Sequence, residues 1–403
     1  MMYRFSLVSV ALCLGFLPLA QAQTLLHTDS AQEWASTITA DELSDLLHVL
    51  AADSMEGRET AKPGQRKAAA FLAEQFEQMG LEPVNGSYFQ RVPLTVTQLK
   101  GGVLTLGSQK LIFKNDFVPY PGIQVTDIVS EAVFVGYGIQ DGLWDDYAGV
   151  NVAGKTVVMI AGEPGSAEKG FELTGTKSPS KWSQDPSTKR MVADSLGAKA
   201  TILVTPEFAT LKSRLVPWLS RERMRLDVER EGEGTDLPTL LVSEEVLLRS
   251  SGWKSMKEVR KKWPKRKLKG TDLGVMELHL ARKAEKVEAT NVWGLLPGND
   301  SLLASEIVAL TSHYDHVGVD KEGLVYNGAD DDGSGTVSLL ENAEAWMSAA
   351  KAGKGPKRSV LFMAFVGEEK GLLGSEWYSD HPAFPLSQHV CDLNMDMVGR
   401  FDE

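Results

Sequence analysis

Residues 307–335, IVALTSHYDHVGVDKEGLVYNGADDDGSG, narrow the possible folds more than any other stretch of the chain. They open on Ile307-Val308-Ala309-Leu310, a run as short and β-branched as a buried strand. The run ends at Thr311-Ser312. His313 and Asp315 follow, two apart and so on the same side of an extended segment. Imidazole is the commonest metal ligand among side chains, and a neighbouring carboxylate fixes its tautomer and raises its basicity. Further on, Gly328-Ala329-Asp330-Asp331-Asp332-Gly333-Ser334-Gly335 sets three adjacent carboxylates between glycines. Burying them without a cation is costly, because like charges repel strongly away from water. Taken alone, the same octet also reads as a solvated acidic loop capping a helix that starts near Thr336.

The chain downstream repeats the strand-then-polar pattern. Residues 359–365, SVLFMAF, read as a strand, and Glu368-Glu369 follow its end. Paired glutamates there also serve as ordinary helix N-terminal charges. Residues 391–395 form the last strand, and Asp396 is a carboxylate in an otherwise apolar run, which calls for a cation partner. With helices at 336–350 and 371–379, the alternation predicts an α/β fold with a mostly parallel central sheet flanked by helices. In such sheets ligands sit beyond the carboxyl ends of the strands. Four elements thus bring His313, Asp331, Glu369 and Asp396 to one edge. Nitrogen and oxygen donors without a thiolate suit zinc or another divalent first-row ion.

Upstream, residues 41–79 carry two amphipathic helical runs separated by a turn-rich loop, with Gly80 as the C-terminal stop. From residue 121 to 285 the pattern turns β-rich and holds no cluster with ligand spacing, so it reads as an inserted domain. The parts that flank it are then 37–120 and 286–403. Residues 253–270 are strongly basic and read as a solvated helix and loop broken at Pro264. The first 22 residues have Arg4, an apolar core and Ala20-Gln21-Ala22, the pattern of a secretory signal cut after Ala22. A secreted or periplasmic protein without stable membrane insertion is expected. Removing the signal leaves Cys391 alone, so no intramolecular disulfide is expected. A net charge of −12 argues against a nucleic-acid partner.

HYDHVG, GADDDGSG, GEEKGLLGS and NMDMVG, in this order and spacing, resemble the M28 family of zinc aminopeptidases and carboxypeptidases. The inserted block is similar to a protease-associated domain. The resemblance implies a dizinc exopeptidase that removes N-terminal residues from peptides, with a carboxypeptidase as the alternative, and His313, Asp331, Glu369 and Asp396 as metal ligands. Under it Asp331 bridges two Zn2+ ions, Glu369 completes the first ion's set and Asp396 binds the second. Glu368 is the general base toward the attacking water, and Asp315 orients His313. Asp330 and Asp332 shape the loop, and His316, which nothing in the sequence partners, receives no role. The family's second ion takes a further histidine well downstream of Asp396. His381 and His389 precede Asp396 and do not match that position, so the chain is expected to be C-terminally incomplete at Glu403. Other readings stay open: an M20-type metallopeptidase, a single-zinc aminoacyl cyclotransferase of related fold, and a catalytically silent binding module.

Overall fold

The computed structural model describes residues 29–123, 125–142, 144–228, 237–263 and 268–400. The signal-like residues 1–22 and the break at Pro264 lie outside them. Among the described residues, no helix is long and apolar enough to cross a membrane. The chain divides into two compact units: one runs up to Val92 and resumes at Glu288, and the other is Pro93–Val287.

In the first unit, Ile307–His313 is the central strand, parallel to Ser359–Phe365 on one side and to His389–Asn394 on the other. The end of Thr271–Leu296 lies antiparallel to Ser359–Phe365. Both inner strands bury nearly every residue, so they read as continuous apolar runs without alternation. Helices line this sheet. Ala40–Leu50 starts at Thr39, whose hydroxyl accepts from the Glu42 N–H. Pro63–Met79 has Pro63 in its first turn and stops at Gly80, whose φ of +91° is left-handed. It buries Ala68, Ala69, Leu72, Ala73 and Phe76, one stripe at helical spacing. Gly335–Lys351 buries Val337, Leu340, Ala343 and Met347 in the same way.

The second unit has its own apolar core, built from Phe117, Phe134, Ile202, Leu240 and Trp263 among others. Asp127–Phe134, Thr156–Ile160, Ala200–Thr205 and Thr239–Ser243 pair in parallel in that order, and Phe117–Pro119 closes the edge antiparallel. With helices Pro186–Ser195, Phe208–Leu219 and Glu244–Ser251, the unit is itself α/β and not only β-rich.

Two sequence boundaries shift. The second unit begins at Pro93, not at residue 121, because Phe89–Leu106 folds back on Gln109–Ile112 and buries Leu104, Leu106 and Leu111 in that unit's core. The strand expected at 132–139 ends at Phe134, where the chain turns through Gly136 at φ +78°. A Cβ there would stand 1.9 Å from the Trp263 ring, so only glycine fits. Trp263 also alters the reading of the basic stretch. Met256–Lys262 turns Met256 and Val259 inward, and the Trp263 indole donates to Asp146 at 3.1 Å, so one face belongs to the core.

Candidate metal centre

The parallel register sets the site. His313 pairs with Phe365, and Thr311 with Asn394, so the residues just past each strand emerge at one edge. Glu368 and Glu369 follow Phe365 by three and four positions, and Asp396 follows Asn394 by two. The aspartate turn, Ala329–Ser334, leads directly into the helix Gly335–Lys351 and brings its carboxylates to the same edge. A cavity of about 220 Å³ opens beside these residues, lined in part by Thr311, His313, Phe365, Glu368, Leu372 and Asp396.

His313 is buried, with Nε2 3.2 Å from Asp331 Oδ1, 3.8 Å from Asp396 Oδ1 and 3.9 Å from Glu368 Oε2. Its Nδ1 lies 3.1 Å from the main-chain oxygen of Asp315 and 3.8 Å from that residue's Oδ1. Burial disfavours protonating His313, but Asp315, Asp332 and Glu368 outweigh it and hold the pKa up at about 9. A cation entering here displaces a proton.

Asp315 is fully buried and spends its two oxygens on neighbours: Oδ2 accepts from Thr60 Oγ1 at 2.6 Å, and Oδ1 from the Glu368 N–H at 3.1 Å. It fixes the turn that carries Glu368. Asp332 is spent on the main chain too, accepting from the N–H groups of His313, Gly335 and Met397 at 3.1, 3.0 and 3.1 Å. Burial raises its pKa to about 7, against the pull of His313. Asp330 accepts from the Gly399 N–H and pairs with Arg400 at 3.1 Å. Asp331 is half-exposed, with its Oδ1 at 3.2 Å from His313 Nε2. The Glu368 pKa is raised by burial and by Glu369, Asp315 and Asp396, with His313 opposing.

The donors fall into two sets, His313 with Asp332 and Asp396, and His316 with Asp331 and Glu369; within each, the ligand atoms all lie within 4.8 Å of one another. Asp331 also reaches His313, so it faces both. This grouping differs from the sequence-derived one in two ways. Glu369 stands against His316, 2.8 Å from Nδ1 to Oε1, and not with His313; Asp396, assigned to the other ion, stands with His313. His316, given no partner from sequence, has one. Its main chain bridges Glu59, and its N–H donates to the Arg58 carbonyl at 3.3 Å, which turns the ring toward the Val366-Gly367-Glu368-Glu369 segment. The fourth position of HYDH was the one available signal.

The residues present fit a divalent cation. His316 Nδ1 and Glu369 Oε1 are buried and, although 2.8 Å apart as an ion pair, neither makes a well-formed hydrogen bond, so both remain open to a cation. The four carboxylates and two imidazoles of these sets match the hard-to-borderline chemistry of zinc.

A family model, "Peptidase family M28", matches residues 291–403. A probable leucine aminopeptidase of Arthroderma otae is 32% identical over 131 residues, which is 31% of this chain and 36% of that protein. Aminopeptidase YwaD of Bacillus subtilis is 39% identical over 95 residues, 23% of this chain and 18% of that protein. The chain thus aligns with 36% or less of the length of these two relatives. Among solved structures, an aminopeptidase from Aneurinibacillus sp. strain AM-1 is 18% identical at a TM-score of 0.45, covering 90% of this chain and 71% of that one.

Proposed function

With residues 291–403 belonging to peptidase family M28, we propose that the protein is a secreted, zinc-dependent exopeptidase that removes N-terminal residues from peptides. The observation that carries this reading is the meeting of two histidines and the carboxylates of Asp331, Glu369 and Asp396 around one shared donor, Asp331. That sharing supports two ions in one centre. The relatives named leucine aminopeptidase support a free peptide N-terminus as the substrate end.

His313, Asp331, Glu369 and Asp396 would hold a divalent ion, which would supply Lewis acidity toward the scissile carbonyl and the attacking water. Glu368 stands at the cavity wall, a third exposed, and takes the proton of the attacking water. Its raised pKa suits a group that accepts this proton and then returns it to the departing nitrogen. One C–O bond forms, the C–N bond breaks, and the proton ends on the new amine. Asp315 positions Glu368 by accepting its main-chain N–H.

Hydrolysis of aminoacyl p-nitroanilides by the full chain tests the reading. A chelator should abolish the activity and zinc should restore it. Chelator-resistant hydrolysis overturns the proposal. Zinc uptake with no cleavage of any peptide would favour the silent binding module.

A further inference from the structure

We propose that Thr60 is a positioning residue for Glu368, acting through Asp315. The inference rests on the reading of Glu368 as the acceptor of the water's proton and deepens it. Thr60 precedes Asp315 by 255 positions, and its Oγ1 donates to Asp315 Oδ2 at 2.6 Å. The other oxygen, Oδ1, accepts from the Glu368 N–H at 3.1 Å. Hydroxyl, carboxylate and amide thus form one chain of hydrogen bonds that ends at the general base. A carboxylate held at one oxygen turns readily, because the terminal torsion of Asp is broad and roughly two-fold. With Thr60 on Oδ2, Oδ1 is aimed at the turn that carries Glu368. Thr60 and Asp315 are both 0% exposed, so bulk water does not compete for the bond, and a bond to a carboxylate oxygen is a strong one.

The segment around Thr60 grips the same turn a second time. Lys370 Nζ, two positions beyond Glu368, lies 3.1 Å from Glu59 Oε1. Those side chains are 26% and 30% exposed, so their ion pair contributes less than the sealed Thr60 contact. Just before Glu368, Gly367 passes the Thr60 methyl: a Cβ on it would stand 3.7 Å from Thr60 Cγ2. Placing Thr60 there takes backbone of a rare kind, since Arg58 and Ala61 on either side have left-handed φ values of +51° and +60°. Such conformations persist where the surroundings impose them, and Arg58 is pinned by four main-chain carbonyls. Threonine hydroxyls commonly bond to main-chain groups close in sequence. This one is carried across the unit to a carboxylate instead.

The test is a double-substitution cycle in the full-length, zinc-loaded protein with aminoacyl p-nitroanilides. Thr60→Val keeps the shape and removes the donor. It should lower kcat by ~10–100-fold with KM and zinc content little changed. Thr60→Ser retains a hydroxyl and should restore most of the rate. In a Glu368→Gln background, where no carboxylate is left to aim, adding Thr60→Val should cost less than about twofold. A threonine that served only the fold or the metal would cost the same in both backgrounds. Amide hydrogen exchange of the metal-free proteins gives a second readout, independent of activity. The Glu368 N–H should exchange at least ~10-fold faster in Thr60→Val and at the wild-type rate in Thr60→Ser. Thermal unfolding checks the fold; Thr60→Cys, with a weak thiol donor in the same place, replaces the valine variant if that one does not fold. An unchanged kcat in Thr60→Val, equal losses in the two backgrounds, or no recovery in Thr60→Ser overturns the proposal. A wild type that cleaves no peptide substrate sinks the peptidase reading instead, and the exchange rates then decide by themselves whether Thr60 holds the turn.

Discussion

Glu368 and Glu369 are adjacent in sequence yet face different tasks, and substitution separates them. Glu368 looks across the cavity at His313, whereas Glu369 is folded against His316. Glu368→Gln keeps the shape and removes the proton acceptor, so kcat should fall about 10²–10⁴-fold with zinc content unchanged. Glu369→Gln should instead lower zinc occupancy. Elemental analysis beside steady-state kinetics decides it, and equal zinc loss in both variants contradicts the division of labour. At this scale the sequence was legible where chemistry is local. His313 and Asp315 share a strand end, and the aspartate run advertises its charge. His316 was opaque because its partner comes from 53 residues further along the chain, across a strand pairing that no local pattern encodes.

Between elements, one buried arginine joins the pieces of the centre. The Arg58 guanidinium donates to the carbonyls of Tyr314, Leu50, Asn327 and Gly328 at 2.7, 2.9, 2.6 and 2.7 Å. It thereby ties the His313 strand end and the segment before the aspartate turn to the helix Ala40–Leu50. Burial lowers its pKa to about 10, still well above neutrality, so it stays charged. Arg58→Met strips four carbonyls of their donors at once. Each buried group left unsatisfied costs ~1–3 kcal/mol, so urea unfolding should show a loss of at least about 3 kcal/mol. Arg58→Lys should recover only part of it, since one ammonium has three donors and no fixed fork. A loss below ~1 kcal/mol would mean that the carbonyls find other partners. The elements themselves were largely readable: the apolar runs at Thr156–Ile160 and Ser359–Phe365 are strands over the residues expected. Misreadings came where tertiary packing overrode the local signal. Gly136 ended a strand to admit Trp263, and the hairpin from Phe89–Leu106 to Gln109–Ile112 moved the start of the second unit to Pro93.

For the molecule as a whole, Pro93–Val287 carries its own core and none of the proposed ligands. Expressed alone, residues 93–287 should fold cooperatively in chemical denaturation and bind no zinc tightly; a non-cooperative transition would show that the unit depends on the rest of the chain. The other unit is discontinuous, and its halves meet only late. Arg58 and its Tyr314 partner are 256 residues apart, and Thr60 and Asp315 are 255 apart. Synthesis at about 5–20 residues per second puts roughly 10–50 s between the appearance of Arg58 and that of the carbonyl it serves. Through that interval the guanidinium and the helices around it have no permanent place, while the intervening unit acquires everything it needs to close. The connectivity thereby lets Pro93–Val287, which carries none of the proposed ligands, be fully synthesised before Arg58 can meet its Tyr314 partner.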